Sequence, residues 1–134
     1  MKVVVDSGVL IDWITGRSNP QVLRLDRLTR SSKLIVGDLM MVEVLQGCDT
    51  DREFSEVRTL LDAFEHLAIV TPSLAVDAAK NYRLLRARGI TVRKTIDTLI
   101  ATRCIVDGLP LLFSDRDFQP FVDHLGLIDA MTIA

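Results

Sequence analysis

Apolar residues follow two different patterns along the chain, and the alternation between them predicts the order of strands and helices. Four short runs are almost entirely apolar, which is typical of strands buried on both faces of a parallel sheet. These runs cover residues 3–5, 34–36, 67–70 and 110–113. Between them, apolar residues recur every three or four positions, the spacing of one buried helix face. The pattern predicts a single α/β domain over residues 1–134 with a mainly parallel sheet.

The strongest helical periodicity runs over residues 54–64. Phe54, Leu61 and Phe64 either fill the core or form a surface for another protein, and periodicity alone does not distinguish the two. After the third strand, Thr71 is followed by a proline. This combination predicts the N-cap and the first turn of the next helix.

The composition is that of an ordinary globular protein, with 49% hydrophobic and 25% charged residues and a formal net charge of −2. The apolar runs are too short to span a membrane. The first residues also lack the pattern of a secretory leader, in which a basic stretch is followed by an apolar one. We therefore expect a cytoplasmic protein without membrane association. Cys48 and Cys104 lack metal-binding spacing and are predicted to be buried thiols in a reducing compartment. The slightly negative net charge argues against a protein that coats nucleic acid generally, but it is compatible with a local basic surface.

Four acidic residues occupy positions that could bring them together. Asp6 and Asp115 each follow an apolar strand. The carboxyl ends of parallel strands meet at one edge of the sheet, where ligands and catalysis gather. Asp97 falls in the first turn of a predicted helix, and Glu43 is flanked by apolar residues, where a charge needs a partner or a metal. The four positions together predict a shared carboxylate site.

Each of these residues also has a purely structural explanation. Asp6 could cap the following helix, Asp97 could interact with its helix dipole, and Glu43 could pair with a lysine or an arginine. If the four converge, however, two carboxylates ~5 Å apart repel by about 3 kcal/mol at an effective dielectric near ~20. Either some of them hold protons with a raised pKa, or a divalent cation lies among them. Oxygen ligands without His or Cys favour Mg²⁺ or Mn²⁺, and such sites hydrolyse phosphodiesters with an activated water.

In their order and context, these residues resemble the motifs of the PIN-domain ribonucleases. The matching segments are Val5-Asp6-Ser7, Val42-Glu43, Ile96-Asp97-Thr98-Leu99-Ile100-Ala101 and Leu112-Phe113-Ser114-Asp115-Arg116-Asp117-Phe118. Within that family the chain is most similar to the VapC-type toxins of bacterial and archaeal toxin–antitoxin pairs. The resemblance extends over essentially the whole chain. It implies a three-layer α/β/α sandwich around a parallel sheet.

The resemblance also implies a chemistry and partners. Asp6, Glu43, Asp97 and Asp115 match the family's acidic quartet, which binds Mg²⁺ or Mn²⁺ and activates water for RNA cleavage. The implied function is a metal-dependent endoribonuclease that is the toxin of a type II toxin–antitoxin system. A small VapB-like antitoxin that holds the toxin inactive and a homodimer are implied as well.

Residues beside the quartet could support the metal ligands. Ser7, Ser114 and Asp117 are the candidates for this outer layer. Asp117 could instead cap the final helix, which is the interpretation we favour. Two positions depart from the family pattern: Gly8 stands where Asn or Ser is usual, and Phe113 stands where Thr is usual.

Basic residues gather along the chain before the third quartet position. They are Lys80, Arg83, Arg86, Arg88, Arg93 and Lys94. The last four, Arg86, Arg88, Arg93 and Lys94, are candidates to bind RNA phosphates, because an acidic site repels phosphate except at its metal. The alternative is an ordinary solvated helix face. Aromatic residues are few here, so base stacking on an exposed platform is not predicted.

Functions of other classes compete with this interpretation. A PIN-fold module that binds RNA or a partner protein without cutting would carry the same residues, and loss of metal-dependent cleavage in Asp6→Asn distinguishes the two. A receiver-type phosphoacceptor domain also has an acidic Mg²⁺ cluster, but a Lys is expected near the place of Asp115. A haloacid-dehalogenase-type phosphatase would need an Asp where Gly8 stands.

Overall fold

Strands and helices alternate along the chain in the computed structural model, which describes residues 1–133. The four strands of this range are β1 (Lys2–Val5), β2 (Lys33–Gly37), β3 (Glu65–Leu67) and β4 (Leu111–Leu112). The seven α-helices of this range are α1 (Ser7–Ile14), α2 (Pro20–Ser31), α3 (Asp38–Leu45), α4 (Asp51–Asp62), α5 (Pro72–Ala87), α6 (Thr95–Asp107) and α7 (Gln119–Leu125). A short 3₁₀ turn, Arg116–Phe118, precedes α7. The order agrees with the predicted alternation.

All four strands run parallel, in the order β3-β2-β1-β4. β1 pairs with β2 through Lys2 and Lys33, and with β4 through Val4 and Leu111. Residues 3–5 are fully buried, because helices cover both faces of the sheet. The fold is therefore a three-layer α/β/α sandwich, which confirms the predicted fold class.

The segment after α7 completes one edge of the sheet. Leu111 N donates to Ile128 O at 2.9 Å, and Ala130 N donates to Leu111 O at 3.0 Å. The outer side of β4 is therefore hydrogen-bonded. The guanidinium of Arg24, on α2, holds the same segment by donating to the carbonyl oxygens of Ala130 and Ile133.

The third strand lies earlier in the chain than the sequence predicts. It covers Glu65–Leu67, so the predicted strand at residues 67–70 is wrong in its position. Ile69 N donates to Asp38 Oδ1 at 3.0 Å, and Ile69 O accepts from Arg103 Nε at 3.0 Å. The backbone of Ile69 bonds to side chains instead of to β2, and strand pairing has already ended there.

α5 begins where the sequence predicts. Thr71 Oγ1 accepts a hydrogen bond from Leu74 N at 3.2 Å, and Pro72 occupies the first turn. With 16 residues it is the longest helix of residues 1–133. Within this range no helix is both long enough and apolar enough to cross a membrane.

The apolar residues of α4 and of the turn after it divide between core and surface. Leu61 is fully buried, and Phe64 packs edge-on against Trp13 with ring centroids 6.0 Å apart. Phe54 remains 41% exposed. Core packing explains Leu61 and Phe64, and it leaves Phe54 available to another protein.

The two cysteines are free thiols in different environments. Cys104 is buried on α6, and this burial raises the pKa of its thiol to about 12. Cys48 is only half-buried, so the prediction of two buried thiols is wrong for Cys48. The reason is its place just beyond the end of α3, where the chain turns at the surface.

The end of β2 is packed so tightly around Gly37 that a side chain would not fit. A Cβ at Gly37 would lie 2.7 Å from Ile69 Cδ1 and 2.9 Å from Met40 Sδ. We expect Gly37→Ala to lower the free energy of unfolding by about 1–3 kcal/mol, because overpacking displaces neighbouring side chains. Urea unfolding followed by circular dichroism measures this loss. Gly47→Ala is the matched control, since a Cβ there would meet Val44 O at an ordinary 3.6 Å. Equal stabilities of the two variants would contradict the expected overpacking.

Candidate functional site

Asp6 stands at the carboxyl end of β1, where the chain turns into α1. Its backbone is extended, with φ −74° and ψ 156°, and its side chain makes no capping hydrogen bond to α1. The residue is only 5% exposed. The backbone N–H groups of Ser7 and Gly8 lower the pKa of Asp6 in part, but burial outweighs them, so a charged carboxylate at this position gains from a further partner.

Asp115 follows β4 at the same edge of the sheet. Its Oδ1 accepts a hydrogen bond from Asp117 N at 2.9 Å, so Asp115 caps the 3₁₀ turn that begins at Arg116. Asp117 lies inside that turn and pairs with Arg93 at 3.1 Å. The favoured prediction that Asp117 caps the final helix is wrong, because α7 begins at Gln119 without a side-chain cap.

Asp97 lies in the first turn of α6 and is 5% exposed. Its Oδ2 has no hydrogen-bond partner within residues 1–133. In the same part of the chain, the one other buried side-chain atom without a partner is Oγ1 of the adjacent Thr98. A buried carboxylate oxygen without a donor is costly unless a cation or a ligand satisfies it. A cation or a ligand at the first turn of α6 would therefore satisfy Asp97 Oδ2.

Asp97, Asp115 and Asp117 bring their carboxylates together. One oxygen of each lies within 4.8 Å of the other two, so the three could hold one cation. From the sequence, Asp117 is expected to have only a supporting role. Its spacing two residues after Asp115 was the available signal, because a tight turn can bring such a pair of carboxylates to one site.

Asp6 and Glu43 lie beside this group of three rather than within it. Ser7 Oγ donates to Glu43 Oε1 at 3.2 Å and so links α1 to α3. Glu43 is half-buried, and within residues 1–133 it forms no salt bridge with a lysine or an arginine. The negative charges of Glu43 and Asp97 both raise the pKa of Asp6. The four residues matched to the acidic quartet therefore share one electrostatic environment.

Burial raises the pKa of the two interior carboxyl groups. The pKa of Asp6 is about 7 and that of Asp97 is about 6, in each case chiefly because burial disfavours the charged form. Repulsion by neighbouring carboxylates adds to both increases. The Lys94 ammonium lowers the pKa of Asp97 in part. A cation at this position would favour the charged forms and remove the cost of ionising them.

Two of the predicted RNA-binding residues are paired with the acidic group. Lys94 Nζ lies 3.5 Å from Asp115 Oδ2, and Arg93 pairs with Asp117. The nearby charges of Asp97 and Asp115 raise the pKa of Lys94. Both cations are largely exposed, so these are surface ion pairs of small energy that another charged group can replace.

The other two predicted RNA-binding residues lie on or just after α5, away from the carboxylates. The guanidinium carbon of Arg86 lies 5.7 Å from the centroid of the Tyr82 ring. Arg88 Nη1 lies 2.9 Å from His124 Nδ1. Both arginines are exposed, which leaves their charges available to a ligand.

Of the two departures from the family pattern, the structure explains Phe113 and gives no reason for the glycine at position 8. A Cβ at Gly8 would lie 3.5 Å from Ser114 Oγ and 3.8 Å from Asp6 Oδ2, both ordinary contacts. The hydroxyl of Ser114 therefore lies beside Gly8, at the rim of the acidic site. Phe113 is buried and packs against Phe118 with ring centroids 5.4 Å apart. Phe113 contributes to the core rather than to the site.

The residues present fit a hard divalent cation. The clustered ligand atoms are carboxylate oxygens, the donors that Mg²⁺ and Mn²⁺ prefer. One of the three residues, Asp97, also has a buried oxygen without a partner within residues 1–133. The group found within residues 1–133 contains neither His nor Cys, which makes it a poor zinc site. Asp97, Asp115 and Asp117 are placed to hold the cation, with Asp6 and Glu43 adjacent.

The model of the PIN domain family matches residues 3–124. The matched range includes the four strands and every acidic residue described above. The chain therefore belongs to the PIN domain family. This membership, and the strand order β3-β2-β1-β4, exclude a receiver-type domain, in which the order is 2-1-3-4-5.

Several individual proteins are similar to the chain over most of its length. A VapC ribonuclease of Mycobacterium bovis and ribonuclease VapC11 of Mycobacterium tuberculosis are each 25% identical over an alignment of 126 residues. The matched part covers 87% of this chain and 89% of theirs. VapBC2 from Rickettsia felis, solved bound to a DNA fragment from its promoter, has a TM-score of 0.77, 15% identity and 96% coverage of both chains. VapBC-1 from nontypeable Haemophilus influenzae has a TM-score of 0.74 and 17% identity, with 98% of this chain and 100% of that chain covered. These comparisons confirm the resemblance that the motifs indicated.

Proposed function

We propose that the protein is a metal-dependent endoribonuclease that hydrolyses RNA phosphodiester bonds and acts as the toxin of a type II toxin–antitoxin system. The observation that carries the proposal is the group of carboxylates around Asp97, whose buried Oδ2 lacks a partner within residues 1–133. Its position at the strand-end edge of a PIN fold and the relatives named VapC ribonucleases support the same activity.

The acidic residues have different proposed roles. Asp6, Asp97 and Asp115 are the main metal ligands, and Glu43 completes the site directly or through a water. Asp117 is a further ligand, because its carboxylate belongs to the same group of three. A bound Mg²⁺ or Mn²⁺ supplies Lewis acidity, which activates a water for attack and neutralises charge on the phosphate.

Water is the proposed nucleophile. Ser7 is the hydroxyl nearest in sequence to the first ligand, but its Oγ donates to Glu43. This hydrogen bond orients Glu43 and does not activate Ser7 for attack. Ser7 is therefore a positioning residue, and Ser114 at the rim is a second candidate for that role.

The exposed cations of the site are the proposed phosphate contacts. Lys94 and Arg93 neutralise Asp115 and Asp117 in the absence of metal. A divalent cation held by the same carboxylates would compete with these ion pairs, and Arg93 and Lys94 would then be available to bind RNA phosphates. Arg86 and Arg88 would extend the positive surface away from it.

The proposed partners follow from the same family. The solved VapBC structures support a VapB-like antitoxin that binds this chain. A homodimer and a cytoplasmic location are proposed on the family resemblance.

Removal of the metal tests the proposal directly. With Mg²⁺ or Mn²⁺, total cellular RNA is expected to yield discrete fragments over a time course, because water attack requires the cation. Excess EDTA is expected to abolish the fragments, and added Mn²⁺ is expected to restore them. Denaturing gel electrophoresis measures the products.

The comparison ion is Zn²⁺, which the oxygen-only ligand set disfavours and which should support much less cleavage. If folded protein produces no fragments with either Mg²⁺ or Mn²⁺, the nuclease function is wrong. The chain would then be a PIN-fold module that binds RNA or protein without cutting.

A further inference from the structure

A groove lies between α5 and α6, and of the residues that line it only Arg86 has a role in the function proposed so far. It contains a cavity of about 510 Å³, within the ~300–1,000 Å³ range of ligand pockets. α5 contributes small alanines together with Tyr82, Arg83 and Arg86, and α6 contributes Thr95, Thr98 and a leucine. A second cavity of about 580 Å³ shares the two arginines. We call the two cavities together the α5–α6 groove.

The groove is positively charged although the protein as a whole has a net charge of −2. Lys80, Arg83 and Arg86 line it at every third position of α5, which places them on successive turns of one helix. Within residues 1–133 none of the three forms a salt bridge. A row of cations without counter-ions complements a chain of phosphates.

The groove also offers a surface on which a base can stack. Tyr82 is half-buried in its wall, and the guanidinium carbon of Arg86 lies over one face of the ring, 5.7 Å from its centroid. A base that stacks on this face displaces Arg86, which then reaches a phosphate. Unpaired bases stack on aromatic rings and on arginine planes. The sequence did not predict this surface, because a single aromatic residue among basic ones gives no pattern. The fold supplies the neighbouring apolar wall.

The groove is lined by the first turn of α6, the same turn that carries Asp97. Thr95 and Thr98 line it and flank Asp97 in that turn. Thr98 is 3% exposed, and its hydroxyl has no hydrogen-bond partner within residues 1–133. A polynucleotide with one phosphate at Asp97 therefore lies within about one helical turn, ~5.4 Å, of the groove.

We propose that the α5–α6 groove binds the single-stranded RNA segment adjacent to the cleaved phosphate, with Arg83 and Arg86 on its phosphates and one base against Tyr82. This inference rests on the proposed ribonuclease function and assigns the place where its substrate lies. An acidic protein segment is disfavoured as the occupant, because its carboxylates would pair with the cations but would leave the Tyr82 ring, on which a base stacks, without a partner.

Binding of RNA without cleavage tests the groove independently of catalysis. The probe is a fluorescein-labelled single-stranded RNA of about 12 nucleotides, and anisotropy in EDTA measures its affinity for the full chain. Arg83→Gln/Arg86→Gln is expected to weaken binding about tenfold or more at ~0.1 M salt. The slope of log K against log salt should become shallower by about 1.4, since each lost phosphate contact removes about 0.7 for a single strand.

The charge-matched control is Arg27→Gln/Arg30→Gln on α2. Both residues are exposed, and neither forms a salt bridge within residues 1–133. This pair removes the same charge outside the groove, so affinity and salt slope should change much less than in the groove variant. The comparison separates local phosphate contacts from the effect of net charge.

Substitutions at Tyr82 test the stacking contact separately. Tyr82→Leu is expected to weaken binding about fivefold or more without changing the salt slope, because stacking involves no counter-ion release. Tyr82→Phe keeps the ring and is expected to bind as the wild type does. Thermal melts of both variants verify that the half-buried position still packs.

The outcomes separate the groove from the enzyme function. The proposed RNA binding by the groove is wrong if Arg83→Gln/Arg86→Gln binds RNA with wild-type affinity, or if the wild type binds no RNA. A change in molar mass by light scattering with unchanged RNA affinity also overturns it and makes the groove a protein interface. Weakened binding in the variant supports RNA binding by the groove, whether or not the wild type cleaves RNA. Absence of cleavage by the wild type with any metal contradicts only the proposed ribonuclease activity.

Discussion

Asp97→Asn is expected to reduce metal-dependent RNA cleavage by at least about 10³-fold while the protein stays folded. Asp97 is buried, and its Oδ2 lacks a partner within residues 1–133. The amide removes a negative charge and can place an NH₂ group where a cation needs an oxygen. Initial rates on a defined RNA measure the loss, and titration calorimetry with Mn²⁺ should show at least about tenfold weaker binding.

The control for this substitution is Asp26→Asn, an equal change of charge at an exposed position on α2. It is expected to cleave RNA and to bind Mn²⁺ as the wild type does. Circular dichroism and thermal melts establish that both variants are folded. Cleavage by Asp97→Asn at more than about a tenth of the wild-type rate would show that Asp97 is not a metal ligand in the reaction.

The second large effect concerns stability without metal. The free energy of unfolding of the wild type is expected to contain a component that falls as pH rises from about 4 to about 7. An Asp in the unfolded chain loses its proton near 3.8, whereas folded Asp6 has a pKa of about 7, so the folded state holds more protons in between. A pKa difference of this size lowers the free energy of unfolding by about 4 kcal/mol above pH 7. Urea unfolding in EDTA across this pH range measures it.

Asp6→Asn isolates this component, because the amide does not ionise. In EDTA the variant is expected to match the wild type near pH 4 and to exceed its stability by about 2–4 kcal/mol near pH 8. Mn²⁺ should stabilise the wild type at the higher pH, since a ligand that binds the folded state stabilises it, and should stabilise the variant much less. Asp26→Asn should follow the wild type throughout. Equal stability of wild type and Asp6→Asn near pH 8 would contradict the raised pKa.

Part of the site could be predicted because local sequence determines it. Residues 3–5 form a β-branched run that must be buried on both faces, so Asp6 had to emerge at the carboxyl edge of the sheet. The same reasoning placed Asp115 beyond β4. Glu43 stood out because its neighbours in sequence are apolar, and its side chain indeed contacts Ser7 near the edge rather than a lysine or an arginine.

The errors arise where hydrogen bonds between distant residues decide the local structure. Ile69 belongs to an apolar run that resembles a strand, but its backbone bonds to Asp38 and Arg103, 31 and 34 residues away in sequence. Asp117 resembles a helix cap until the chain folds, when the turn at Asp115 brings their carboxylates together. The contacts of Ile69 leave no trace in periodicity or composition, so they could not be predicted from one sequence. The close spacing of Asp115 and Asp117 was a local signal, but it is equally compatible with a helix cap.

The C-terminal segment bonded along β4 restricts how another protein can bind. It covers one edge of the sheet, and the opposite edge is β3, which is three residues long and is followed at once by backbone bonded to side chains. Short edge strands and covered edges resist the addition of a foreign strand. β-Augmentation, in which a partner donates a strand to an open sheet, is therefore disfavoured for this fold. A partner's tail must be recognised through helix faces and grooves, where its side chains rather than its backbone determine specificity.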